Sequence, residues 1–233
     1  MHRFFCAESL VQGAAVTLSP EESHHLAGVL RARPGEKVML VDGRGALAVA
    51  CLERVNRGGV VALVESVEVV AARNRVWIVF ALPKSAALEF LLHRGTEIGV
   101  AGFQPLQTRF SLRADGFNRK RCERLVAQSA KQCEESHFPS LRDPLPLADW
   151  LARREPGALL SCDEGIREAR PVAPATGTAC FVVTGAEGGW DEGEREQLRG
   201  SGASSLGLGA NRLRAETAAL VAAVLAKRLI GEL

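Results

Sequence analysis

The chain has 233 residues, of which 47% are hydrophobic and 24% charged, with a formal net charge of +2. That length allows one large domain or two small ones, each with its own core. The balance is that of an ordinary soluble globular protein, and no apolar run approaches the roughly 20 residues of a membrane span, so no membrane partner is expected. The opening residues Met1-His2-Arg3-Phe4-Phe5-Cys6 lack a long apolar core followed by a small-residue cleavage site, so the expected location is the cytoplasm. Cysteines 6, 51, 122, 133, 162 and 180 form no CxxC pair, and the neighbours His24 and His25 cannot share a helical face. Reduced structural thiols and no metal site are expected.

Residues 1–72 read as a small β-rich domain, with strands predicted at 3–5, 37–41, 46–55 and 60–69. The turn signals Arg33-Pro34-Gly35-Glu36, Asp42-Gly43-Arg44-Gly45 and Asn56-Arg57-Gly58-Gly59 punctuate them as in a small barrel. Ser19-Pro20-Glu21-Glu22 supplies an N-cap, a first-turn proline and a capping-box Glu, which predicts a helix to residue 30 that carries His24 and His25. Arg31 and Arg33 beside His25 are either ordinary surface charge or a contact to RNA.

Arg73-Asn74-Arg75 marks the boundary, and residues 73–233 form the second predicted domain. Val76-Trp77-Ile78-Val79-Phe80-Ala81-Leu82 is the continuous apolar run of a strand covered on both faces. After Pro83-Lys84-Ser85, the spacing of Leu88, Leu91, Leu92 and Ile98 predicts a helix that stops at Gly99. A strand at 103–108 and a helix from the Asn118 cap through 135 continue the strand-helix alternation. Stretch 109–131 holds seven basic residues (Arg109, Arg113, Arg119, Lys120, Arg121, Arg124, Lys131) against Asp115 and Glu123, either a solvated face or a phosphate contact. Segment 137–156, with Pro139, Pro144, Pro146 and Pro156, is expected to wrap the surface around a short helix at 147–154. Strands at 158–162 and 179–183 follow, and a final helix at 214–230 places Ala218, Ala222, Leu225 and Leu229 on one stripe.

The most informative stretch is 181–217. An apolar run ends in Thr184-Gly185-Ala186-Glu187-Gly188-Gly189-Trp190, and a second short strand, 205–209, ends in Leu206-Gly207-Leu208-Gly209 before Leu213-Arg214-Ala215-Glu216-Thr217 opens the last helix. Glycine loops at strand ends form ligand pockets in open α/β sheets. The first loop lacks the Gly-Lys-Ser/Thr ending of a phosphate loop and carries Glu187, and the second lacks the third glycine of a dinucleotide fingerprint. Glycine backbones with a carboxylate suit a cationic adenosine ligand without phosphate, such as S-adenosylmethionine.

These motifs resemble those of the ribosomal RNA small subunit methyltransferase E family of the SPOUT superfamily. The 184–190 loop is similar to the family's Gly-Pro-Glu-Gly-Gly-Phe, and the 206–218 stretch to its Leu-Gly…Leu-Arg-x-Glu-Thr-Ala segment. Arg3-Phe4-Phe5, His25-Leu26 with Val29-Leu30-Arg31, Lys84 with Glu89-Phe90, and Thr96-Glu97-Ile98-Gly99-Val100 extend the likeness along almost the whole chain. The resemblance implies an α/β fold: a small N-terminal PUA-like β-barrel that holds RNA and a C-terminal SPOUT-type sheet containing a deep trefoil knot. It also implies a homodimer that methylates uracil N3 in 16S ribosomal RNA of the small subunit. Three places depart from the pattern: Ala186 replaces a proline, Asn211-Arg212 replaces Arg and an aliphatic residue, and Glu135 and His137 stand where arginines are usual.

By this resemblance, Thr184, Gly185, Glu187, Gly188, Gly189, Leu206, Gly207, Leu208, Gly209 and Leu213 are the expected cofactor residues. Arg3, His25, Arg31, Arg33, Lys84, Arg109, Arg113 and Lys131 are the expected RNA contacts. The N3 proton must leave as the methyl arrives, which makes Arg214 the expected stabiliser of negative charge and Glu187 or Glu216 the proton acceptor. Glu216 equally suits the dipole of the helix it begins. Two other readings remain: a non-catalytic RNA-binding module with a degenerate cofactor pocket, and a methyltransferase acting on another RNA base.

Overall fold

The structure is a computed structural model and describes residues 1–56, 59–166, 168, 169, 171 and 177–233. Arg57 and Gly58 of the expected turn, and residues 172–176 of the loop before the strand at 179–183, lie outside the described residues. The chain divides into two compact units, Met1–Ala72 with Ala130–Phe138, and Arg73–Ser129 with Pro139–Leu233. Segment Ala130–Phe138, which the sequence reading placed in the second domain, thus belongs to the first unit.

In the first unit, strands β1 (Arg3–Phe5), β2 (Ala15–Thr17), β3 (Lys37–Val41), β4 (Ala46–Asn56) and β5 (Gly59–Val69) form a sheet of order β1-β3-β4-β5-β2. Only β1 and β3 run parallel. Period-two alternation selects the core: Ala48, Ala50 and Leu52 of β4 and Val60, Ala62 and Val64 of β5 are all buried. Helix α1 (Pro20–His24) begins where Ser19 Oγ accepts a hydrogen bond from Glu22 N at 3.2 Å. It continues as a π-helical turn over His25–Val29, so the single helix expected to residue 30 has two windings.

Segment Ala130–Phe138 ties into this unit through charge. The nearly buried Glu22 carboxylate accepts a hydrogen bond from Lys131 Nζ, and Arg3 donates to Glu134 O at 2.6 Å and pairs with its carboxylate at 3.2 Å. His137 Nε2 donates to Val70 O at 2.8 Å, while Glu135 Oε1 accepts from Ser136 N and His137 N at 2.9 and 3.1 Å. Glu135 and His137 therefore shape a turn and anchor it.

In the second unit, β6 (Val76–Ala81), β7 (Gly102–Gln107), β8 (Ser140–Leu141), β9 (Leu145–Pro146), β10 (Ala158–Cys162), β11 (Cys180–Thr184) and β12 (Ser204–Ser205) form a wholly parallel sheet. Its order is β12-β10-β11-β6-β7-β8, with β9 also on β7. The helices are α2 (Ser85–Ile98), α3 (Arg119–Gln132, of which Ala130–Gln132 belong to the first unit), α4 (Leu147–Arg153), α5 (Glu192–Gly200) and α6 (Ala215–Leu229).

Both faces of the sheet are covered, which is why β6 and β11 are apolar without alternation. Ile78, Phe80, Cys180 and Val182 meet Leu91 and Leu92 of α2 and the alanines Ala219, Ala222, Ala223 and Ala226 of α6. Val79, Phe181 and Val183 meet Trp150, Trp190 and Leu198 on the opposite face. Gly99 ends α2 at φ +76°, the left-handed stop expected of it. Lys227 is buried in α6, yet its ammonium donates to Gly99 O at 2.6 Å and to Asn74 Oδ1 and Glu232 Oε2 at 3.0 Å each, which satisfies all three donors.

Two expectations are corrected. Segment 137–156 does not merely wrap the surface: β8 and β9 extend the sheet, and Leu141, Leu147 and Trp150 are buried. Its prolines are compatible with this because the two strands are only two residues long and lie at the margin of the sheet. The strand expected at 205–209 is confined to Ser204–Ser205, since Gly207 and Gly209 leave few side chains to hold a ladder.

Candidate active site

Parallel strands deliver their loops to one edge of a sheet, and three such loops enclose a cavity of about 590 Å³ in the second unit. The loop after β10 contributes Asp163, Glu164 and Ile166. The loop after β11 contributes Thr184 to Glu187 with Gly189 and Trp190, and the approach to α6 contributes residues 208–215.

Close backbone approaches shape the second of these loops. Gly189 N donates to Ala186 O at 2.8 Å, and Gly189 adopts φ +72°, which favours glycine. A Cβ on Gly185 would lie 3.0 Å from the Gly189 carbonyl group, so only glycine fits there without displacing backbone. Trp190 is 2% exposed, and its indole N–H donates to Cys162 O at 3.0 Å, joining this loop to the end of β10. Directly afterwards Asp191 and Glu194 form a capping box at the start of α5. The buried Glu194 carboxylate also accepts from Arg109 N at 2.7 Å, fixing the chain that leaves β7.

Two features bear on a ligand. Thr184 Oγ1 is buried at the cavity wall without a hydrogen-bond partner among the described residues, a costly arrangement unless a ligand supplies one. Cationic and anionic side chains also share the wall. Asp163 is held by Arg195 Nε at 2.7 Å, and Glu164 by Arg212 at 3.1 Å, whereas Glu187 and Arg214 are exposed and have no side-chain partner among the described residues. Cys162 lines the same cavity, but burial pushes its thiol up to about 12, which removes it as a nucleophile near neutral pH.

The structure gathers Thr184, Gly185, Glu187, Gly189, Leu208, Gly209, Leu213 and Arg214 of the expected site. Gly188 instead faces the Phe110 ring, Leu206 is in the core, and Gly207 N donates to Ala169 O at 2.8 Å. Glu216 stands in the first turn of α6, outside the cavity wall. Sequence reasoning missed Asp163, Glu164 and Ile166, although they directly follow a predicted strand and the strand-end rule points to such positions.

The expected RNA contacts fall into two groups. Arg3 and Lys131 are engaged in the ion pairs of the first unit, and Arg113 pairs with Asp115 at 3.4 Å. Arg31, Arg33, Lys84 and Arg109 are exposed and have no side-chain partner among the described residues, while His25 packs edge-on against Phe4 with 5.8 Å between ring centres.

The RNA methyltransferase domain family matches residues 71–227, and the RNA methyltransferase PUA domain family matches residues 18–65. The chain is similar to ribosomal RNA small subunit methyltransferase E of Mycobacterium bovis, with 33% identity over 90% of this chain and 85% of the relative. It is also similar to the Synechocystis protein of the same name, with 31% identity over 95% of this chain and 75% of the relative. A Legionella pneumophila protein solved with bound S-adenosylmethionine superposes with a TM-score of 0.84 at 26% identity, covering 97% of this chain and 96% of that one.

Proposed function

The chain belongs to the ribosomal RNA small subunit methyltransferase E family, and from that premise we propose that its cavity binds S-adenosylmethionine and methylates 16S ribosomal RNA at N3 of a uridine. The observation that carries the cofactor reading is the buried Thr184 hydroxyl, without a partner among the described residues, in a cavity lined by two glycine loops whose backbone groups a ligand can approach closely. When bound, the cofactor supplies an electrophilic methyl group on a sulfonium. Gly185, Gly189, Leu208 and Leu213 would hold its adenosine part, with Thr184 Oγ1 as a polar partner on the same wall.

The remaining work belongs to the two unpaired charges on the wall. Uracil N3 carries a proton at neutral pH, which must leave as the nitrogen lone pair is engaged. Glu187 receives it on a carboxylate oxygen. The Arg214 guanidinium donates to a uracil carbonyl oxygen, where negative charge grows, and no carboxylate among the described residues competes for it. Glu216, outside the cavity wall, acts on the N-terminus of α6 instead.

The same reading takes the enzyme to be a cytoplasmic homodimer whose C-terminal domain is threaded as a trefoil knot. Arg31, Arg33, Lys84 and Arg109 serve as its readiest phosphate contacts, since no carboxylate among the described residues holds them. The test is transfer of a labelled methyl group to unmodified small ribosomal subunits, followed by mapping of the label. The expected product is N3-methyluridine in 16S ribosomal RNA. Label on another base overturns the N3 assignment, and the absence of both cofactor binding and transfer identifies a non-catalytic RNA binder.

A further inference from the structure

Asn211-Arg212 departs most from the family pattern, and the structure gives Arg212 a specific place. Its Nε and Nη2 lie 3.2 and 3.1 Å from Glu164 Oε1, and Nη2 lies 3.5 Å from Glu187 O, so one side chain reaches from the approach to α6 towards both other loops. Arg212 and Glu164 both line the cavity, and their side chains are 72% and 52% exposed. The neighbouring acid, Asp163, already accepts a hydrogen bond from Arg195 Nε at 2.7 Å, which raises the Arg195 pKa.

We propose that Arg212 and Glu164 form a clamp for the zwitterionic amino-acid end of the cofactor, with Arg212 taking its carboxylate and Glu164 its ammonium. The inference rests on the cofactor reading above. A guanidinium beside a carboxylate is complementary to a ligand group that carries one charge of each sign a few atoms apart. An ion pair as exposed as this one is weakly held in water, so a ligand can open it and satisfy both halves again. Thr184 and the glycines face the uncharged adenosine, and Glu187 and Arg214 serve the uracil, which leaves this pair as the charged group on the wall without another role. The planar fork of Arg212 suits a carboxylate in a way that a lysine ammonium does not.

Two ligands isolate the clamp: S-adenosylhomocysteine carries the amino-acid end, and methylthioadenosine lacks it. Calorimetric titration of the native chain, Arg212→Ala, Arg212→Lys and Glu164→Gln with each ligand gives the answer, and the exposure of both residues spares the fold. Arg212→Ala is expected to weaken S-adenosylhomocysteine about tenfold or more while methylthioadenosine binds as before, because the lost contact is a charge-assisted hydrogen bond. Arg212→Lys falls between native and Ala, and Glu164→Gln shows the same discrimination to a smaller degree. Unchanged S-adenosylhomocysteine binding, or parallel weakening of both ligands, overturns the clamp and leaves the cofactor reading standing. Failure of the native chain to bind either ligand overturns both.

Discussion

The two glycine-rich walls of the cavity differ in how they are held. The 184–190 wall is closed by Gly189 N to Ala186 O, pinned through Trp190 to Cys162 O, and continued without a break into a capped helix. The 206–213 wall is fixed at Leu206, whose N–H donates to Ser161 O at 2.9 Å, and at Gly207. Beyond these it has open space around Gly209, with Asn211 and Arg212 exposed. One wall is preorganised, and the other can adapt to what it holds. Preorganised groups avoid the ordering cost of binding, which suits a rigid adenosine. Adaptable charged groups suit a flexible amino-acid tail.

Substitutions can break this contrast in order of expected effect. Trp190→Ala should cost about 3–5 kcal/mol of stability, since it empties a buried aromatic site and removes the bond to Cys162 O, and chemical denaturation measures it. A cost typical of a surface change would show that the first wall is not preorganised. Arg214→Ala should lower methyl transfer by about a hundredfold or more while S-adenosylhomocysteine still binds. Normal turnover in that variant would remove Arg214 from the chemistry.

Glu194→Ala should cost about 1–2 kcal/mol in thermal unfolding, because the capping box and the Arg109 anchor are lost together. The smallest effect belongs to the adaptable wall. Gly209→Ala meets no atom within 4 Å and suffers only its φ of +101°, so about 1 kcal/mol is expected. Gly185→Ala meets backbone at 3.0 Å and should cost more than Gly209→Ala; equal costs would erase the distinction between the walls.

The sequence discloses much of this where local chemistry and tertiary context agree. The apolar run of β6, the Gly99 stop of α2, the Asn118 cap that accepts from Arg121 N at 3.0 Å, and the Thr184-Gly185 loop all stand where spacing and turn residues put them. Strands β8 and β9 were not legible, because two-residue strands have no period and their proline-rich surroundings signal a loop. Strand β2 was hidden for a similar reason, with only Val16 buried among its three residues. The acids of the loop after β10 stand where the strand-end rule points, but their pairing with Arg195 and Arg212 is not legible, because those arginines are distant in sequence and only the fold brings them together. The structural work of Glu135 and His137 likewise depends on neighbours that spacing cannot reveal.

The ion pair between Glu22 and Lys131 has a consequence for synthesis. The first unit is discontinuous along the chain, and when residue 72 is made, the counter-charge for a nearly buried carboxylate has not yet been added. An uncompensated buried charge is strongly destabilising, and domains otherwise tend to fold in the order they emerge. The N-terminal unit is therefore expected to stay incomplete until Ala130–Phe138 has left the ribosome, well after residue 72 has been made.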